Sequence, residues 1–203
     1  MDPVNSKFVV FEGIDGSGKS TQCLLLYDYI CSLNIPARLL VEPTDGKYGQ
    51  KIRKMLQSNK SFPVEEQIQL FIEDRKQDYK KNIAPCIKDN ITIVMDRYFY
   101  SNAAYQGSKE IPPSKIIRQN LDMGFPVPDR IYFIDIQPVI AMERIIARNG
   151  RGNTEMFEKI SFLEKVRENF LSIQDSRFLK LDGNMAPDKI FRIVQRDFLS
   201  MFG

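Results

Sequence analysis

Short, uninterrupted apolar runs recur along this chain, separated by longer stretches with helical spacing. The runs fall at residues 8–11 (FVVF), 37–41 (ARLLV), 91–95 (ITIVM), 131–134 (IYFI) and 178–181 (FLKL). None alternates cleanly with polar residues, so they read as strands buried on both faces, the pattern of a parallel sheet. Helical periodicity covers 19–33, 49–57, 64–83, 112–123, 139–148, 160–172 and 187–201. Pro43 ends the second strand, and Pro126 and Pro128 stop the helix ahead of the fourth. The order predicts an α/β fold, a three-layer doubly wound five-stranded parallel sheet. A chain of 203 residues without an internal repeat suits one domain over 1–203. Ligands in such folds sit beyond the carboxyl ends of the strands. Chemistry is therefore expected at 12–21, 42–46, 96–106, 135–138 and 182–186.

Composition narrows the classes. At 43% hydrophobic and 27% charged the chain is an ordinary globular one with enough apolar residues for a core. Its 29 basic residues against 26 acidic ones form no long run, which argues against a nucleic-acid track. Arginines grouped around a phosphorylated small molecule remain compatible with that charge. The absence of histidine removes Ser-His-Asp catalysis, histidine bases and histidine-ligated zinc together. Cys23, Cys31 and Cys86 form no CxxC pair and read as reduced, structural thiols. No apolar run approaches a membrane span, and the opening MDPVNSK lacks the apolar region of a signal peptide. A cytoplasmic location is the expectation.

The first run leads into FEGIDGSGKST. Gly13, Ile14, Asp15, Gly16, Ser17, Gly18, Lys19 and Ser20 fit G-x-x-x-x-G-K-[ST], followed by Thr21. The glycines let successive backbone N–H groups turn inward on an anion, and the helix that follows adds its positive end. Lys19 is placed to reach the β- and γ-phosphates of a nucleotide, and the Ser20 hydroxyl to ligate Mg²⁺. Asp15 faces the place where an acceptor must arrive.

A second informative stretch, MDRYFYSNAAYQG, follows the third strand directly. Asp96 sits where P-loop proteins place a Mg²⁺-associated carboxylate. The planar fork of Arg97 suits an acceptor phosphate. Tyr98, Ser101, Asn102, Tyr105 and Gln106 form an amphipathic, hydrogen-bonding surface.

In order and spacing, FEGIDGSGKST, EPTDG followed by GQKIR, LFIEDR and DRYFYSNAAYQG resemble the thymidylate kinases, and PDRIYFIDIQP and RIIAR fit as well. The resemblance runs from Lys7 to the last helix. It implies a P-loop NTPase fold with a short mobile lid at about 144–158, Mg·ATP as donor, dTMP as acceptor, dTDP as product, and a homodimer. By position it implies that Phe71 stacks on the thymine and that Arg75, on the same helix face, hydrogen-bonds the base. Arg53 and Arg97 hold the dTMP phosphate. Ser101, Asn102 and Gln106 line the pocket, and Tyr105 packs under the sugar. Glu42 and Asp15 lie between the sugar and the transferred phosphoryl. The apolar faces of 64–83 and 99–105 are candidates for pairing.

Some relatives carry an arginine in the loop directly after the aspartate; here that position is Gly16. Others use lid arginines, which makes Arg144, Arg148 and Arg151 the lid cations. Arg148 and Arg151 are the catalytic candidates, and Arg144 packs on the helix or on the adenine. Where such relatives have a late Asp-Arg pair, this chain has Thr154, or Met156 in a shifted register, and Val41 stands where many have arginine. Two other functions fit the motifs less well. A kinase of another nucleotide or of a deoxynucleoside is one; a nucleoside acceptor needs a base aimed at its 5′-hydroxyl and no paired arginines. A nucleotide-binding module without turnover is the other, and the intact Lys19, Ser20, Asp96 and Arg97 weigh against it.

Overall fold

The computed structural model describes residues 6–58, 60–108, 110–149 and 156–202. Five strands, β1 (Phe8–Glu12), β2 (Ala37–Val41), β3 (Thr92–Asp96), β4 (Arg130–Asp135) and β5 (Phe178–Asp182), form one parallel sheet in the order β2-β3-β1-β4-β5. The chain leaves β1 toward one edge and later returns to β4 on its other side. The crevice this reversal opens lies beyond the ends of β1 and β3, where α/β folds bind ligands.

The helices described are α1 (Lys19–Ser32), α2 (Lys47–Gln57), α3 (Val64–Asp78), α4 (Ala84–Lys88), α5 (Phe99–Gln106), α6 (Pro113–Asp122), α7 (Pro138–Asn149), α8 (Met156–Ser172) and α9 (Pro187–Ser200). A π-helical turn, Tyr79–Ile83, joins α3 to α4. Alternate strand residues feed opposite layers. Phe8 and Val10 join side chains of α3, α5, α6 and α8, whereas Val9 and Phe11 meet Cys23, Leu26 and Ile30 of α1 and Ile190, Val194 and Phe198 of α9. The two layers are what makes the runs apolar at both parities.

Burial on both faces holds for β1, β3 and the middle of β4. It does not hold for β2 and β5, which form the two edges of the sheet and leave residues such as Leu39 and Val41 exposed. Phe99, Tyr100, Ser101, Asn102, Ala103 and Ala104 of α5 are buried within this chain, and Tyr105 is partly buried. Residues 144–149 of the expected lid close α7, and 156–158 open α8; Arg151 and Thr154 lie outside the described residues.

Candidate active site

Beyond β1 the backbone turns through Gly13 at φ 142°, Gly16 at φ 80° and Gly18 at φ 103° before α1 begins. At Gly16 a Cβ would lie 2.5 Å from the Ala141 carbonyl oxygen, so the loop rests against α7 with no room for a side chain. Lys19 is buried, and its Nζ donates to the Ile14 carbonyl at 2.8 Å. Burial, and then the Arg97 charge, push its pKa down to about 8. Ser20 Oγ donates to Asp96 Oδ2, while Asp96 Oδ1 is buried with no partner among the described residues.

A cavity of about 880 Å³ opens above this loop. Its walls include the loop residues from Asp15 to Thr21, together with Asp96, Arg144, Arg148 and Gly183. Arg144 donates to the Gly183 carbonyl at 2.9 Å. Gly13 and Ile14 sit behind the wall. Ile14 packs into the core, and the Gly13 carbonyl accepts from Arg97.

A second cavity of about 900 Å³ adjoins the first. Every residue expected at the acceptor lines it except Arg53: Asp15, Glu42, Phe71, Arg75, Arg97, Ser101, Asn102, Tyr105 and Gln106. Gln67, Lys159 and Phe162, which the motifs did not single out, line it too. Arg75 is fully buried. It donates to Asn120 Oδ1 at 2.6 Å and to Glu42 Oε2, and its guanidinium carbon lies 5.1 Å from the Tyr98 ring centre. Burial lifts the Glu42 carboxyl to about 8, with the Arg75 charge pulling the other way. Arg75 Nε, Glu42 Oε1 and Asn102 Oδ1 are buried polar atoms with no partner among the described residues.

The loop after β2 is tied down from two sides. Asp74 accepts the Thr44 N–H at 2.8 Å and the Thr44 hydroxyl at 2.6 Å. Arg53 donates to the Thr44 carbonyl at 2.5 Å and the Pro43 carbonyl at 2.8 Å, and pairs with Asp45 at 3.0 Å. Its fork is thus engaged by the loop, and it lines neither cavity.

Asp15, Glu42, Arg97 and Ile145 line both cavities. Arg97 has φ 69°, and its fork donates to Ser101 Oγ at 2.8 Å, Gly13 O at 3.2 Å, Tyr105 OH at 3.3 Å and Asp15 Oδ1. Tyr105 OH also accepts the Asp15 N–H at 3.0 Å. Burial alone would raise the Asp15 pKa, but Arg97 and Lys19 together hold it below the usual carboxylate range. Behind this junction lies Glu12, the last residue of β1. It is fully buried, accepting the N–H groups of Tyr98 at 2.9 Å and Ser101 at 3.1 Å, and the Ser101 hydroxyl. Burial lifts its carboxyl to about 7. The only sequence signal for it is one acidic residue closing an apolar run.

A phosphate-cradling loop that opens α1, beside an arginine-walled pocket over the neighbouring strand end, defines a P-loop nucleotide kinase. The family model described as thymidylate kinase matches residues 11–192, and the chain belongs to that family. A thymidylate kinase of Leptospira interrogans (serovar copenhageni) is 38% identical over 193 residues, covering 95% of this chain and 94% of its own length. One from Leptospira borgpetersenii is 38% identical over 195 residues, covering 96% and 94%. A protein of Archaeoglobus fulgidus described as a probable thymidylate kinase is 34% identical over 188 residues, covering 93% and 92%.

Proposed function

We propose that this chain transfers the γ-phosphoryl of ATP to dTMP, giving dTDP for dTTP synthesis. The observation that carries the reading is the joint wall of the two cavities, where Arg97 stands between the phosphate cradle and the pocket of Phe71 and Arg75. Phosphoryl transfer needs little covalent chemistry; it needs two phosphates aligned and their charge balanced. In this reading the loop and Lys19 cradle the ATP phosphates, Arg144 borders the nucleoside end, and Arg97 takes the acceptor phosphate. Lys19 leaves the Ile14 carbonyl to do so.

Phe71 stacks on the base. The unpartnered Asn102 Oδ1 and Arg75 Nε offer one acceptor and one donor, and thymine presents a matching N–H and carbonyl. Buried polar groups without partners are costly, so a ligand that satisfies them is favoured. Tyr105 packs under the sugar. Arg53 joins the phosphate by exchanging Asp45 for it.

Ser20 and the unpartnered Asp96 Oδ1 are hard oxygen donors that fit Mg²⁺. Among the described residues no group of three or more His, Cys, Asp or Glu side chains gathers as metal ligands. When bound, Mg²⁺ neutralises charge on the donor phosphates. With Gly16 bare, the cation for the charge developing between the phosphates comes from Arg148 or Arg151, with Lys159 adding charge on the acceptor side. A homodimer and a cytoplasmic location belong to the same proposal; among the described residues, no helix is long and apolar enough to cross a membrane.

The deciding experiment is a coupled ADP-release assay with dTMP, dUMP, dCMP, dGMP and thymidine as acceptors. The highest kcat/KM is expected with dTMP. No turnover of dTMP rejects the proposal. Tight ATP binding without transfer to any acceptor supports the non-catalytic module instead.

A further inference from the structure

We propose that Glu12 is a positioning residue for Arg97, acting through the Ser101 hydroxyl to keep the arginine fork aimed at the acceptor phosphate. The inference rests on the reading of the site as a dTMP kinase.

The Arg97 fork has two kinds of partner. Asp15, on the cavity side, has a side chain that is 62% exposed. The Arg97 side chain is only 15% exposed, so of its partners the solvent-facing Asp15 carboxylate is the more easily exchanged. An incoming phosphate dianion seeks the same guanidinium edge and repels the Asp15 carboxylate, so this contact is the one that yields. On the protein side, Arg97 Nη1 donates to the buried Ser101 Oγ at 2.8 Å. This contact is free to persist while the phosphate is held.

Whether it persists depends on the Ser101 hydroxyl. A serine hydroxyl has one proton and two lone pairs. On a helix its proton readily turns to the carbonyl four residues back, here that of Arg97 itself. Glu12 Oε2 takes that proton instead, which leaves the lone pairs facing Arg97 Nη1. The other carboxylate oxygen accepts the N–H groups of Tyr98 and Ser101 in the first turn of α5. Among the described residues, all three hydrogen bonds of the Glu12 side chain thus go to the segment that carries Arg97. A neutral cap would also satisfy the two N–H groups, at less desolvation cost than a fully buried carboxyl. The third hydrogen bond, to the Ser101 hydroxyl that itself accepts from Arg97, is the feature that a purely structural cap does not require.

Two variants separate these roles. Glu12→Gln keeps the shape and a carbonyl oxygen for the two backbone N–H groups. Ser101→Ala keeps the cap and removes the relay. Wild type, both single variants and the double variant are compared by kcat, KM for dTMP, KM for ATP and Tm. Each single variant is expected to raise KM for dTMP about 10-fold or more, the scale of one hydrogen bond to a charged group. KM for ATP stays within about twofold in these variants, and the double variant is no worse than the more severe single one, as for residues acting in series. Additive losses, or equal rises in both KM values, overturn the proposal. Should Glu12→Gln fail to fold, Ser101→Ala decides alone, and a wild-type KM for dTMP overturns it. A wild-type enzyme that does not turn over dTMP sinks the functional reading and this inference with it; a wild type that does, with variants showing no dTMP-specific loss, sinks the inference only.

Discussion

The Asp15 carboxylate and the Arg97 guanidinium are bonded to each other at the wall shared by the two cavities. The same guanidinium reaches Gly13 O, Ser101 Oγ and Tyr105 OH, and its carbon lies 5.0 Å from the Tyr105 ring centre. Only a planar fork with several donors spans those partners at once. Arg97→Lys keeps the charge and loses the fork. It is expected to lower kcat/KM for dTMP by about 10²–10⁴, the scale of cationic contacts to a transferring phosphoryl group. Steady-state kinetics with each substrate varied in turn provide the check. A lysine variant with wild-type kcat/KM removes Arg97 from the acceptor site.

Gly16 is closed to every side chain. At φ 80° any other residue is strained, and its Cβ would meet the Ala141 carbonyl oxygen at 2.5 Å and Ile145 Cγ1 at 3.1 Å. The carbonyl belongs to the backbone of α7 and moves only if the helix does. Gly16→Ala is expected to cost about 1–3 kcal/mol of stability and to lower kcat, because α7 also carries Arg144 and Arg148. Gly16→Arg, which adds a cation to the loop, is expected to lose activity and not gain it. Thermal melts with kcat measurements test both. Wild-type Tm and kcat in Gly16→Ala would contradict the close packing.

The five strands were legible because uninterrupted apolar runs have few other uses in a chain this size. Helix starts were less so. α8 begins at Met156, four residues ahead of 160, because Met156 and Phe157 directly follow the polar run NGRGNTE, which blurs where the periodicity starts. The sheet order depends on crossovers that no local pattern encodes. At the site, motif spacing was enough to place Phe71, Arg75 and Asn102 on one cavity, since each rides on a helix whose face is set by packing. Arg53 escaped the same logic. Its partners are the Pro43 and Thr44 carbonyls, and a loop's carbonyl directions cannot be read from residue types. Glu12 was hidden at the end of an apolar run, and Asp74 by the arginine next to it, although it pins Thr44 through two hydrogen bonds.

Glu42 gives the stability of the protein a definite pH dependence. Burial raises its folded-state pKa to about 8 from an ordinary value of 4.5. A carboxyl raised on folding contributes stability that is complete below its unfolded pKa and is lost as pH climbs toward the folded one. Between about pH 4.5 and 8 the wild type should therefore lose stability as pH rises. Glu42→Gln should flatten that slope, leaving the smaller part that Glu12, lifted to about 7, contributes with the same sign. Denaturant midpoints at half-unit pH steps test this. A slope unchanged by the substitution, or one of opposite sign, shows that Glu42 is ionised in the folded protein throughout the window.

The last prediction concerns the cation that the P-loop lacks. Arg148 lines the ATP-side cavity from the end of α7, one helical turn beyond Arg144, whose own guanidinium is bonded to the Gly183 carbonyl. The two arginines stand one turn apart on the same cavity wall and are expected to fail differently. Arg148→Ala or Arg151→Ala is expected to lower kcat by about 10²–10⁴ with a much smaller effect on either KM, because a contact made as charge develops between the phosphates stabilises the transition state and not the bound substrates. Arg144→Ala should act mainly on KM for ATP. Single-turnover measurements separate chemistry from product release and make the comparison clean. If the Arg148 and Arg151 variants both keep wild-type kcat, the transferred phosphoryl is not served by these arginines, and Lys159, on the far side of the shared wall, becomes the next residue to replace.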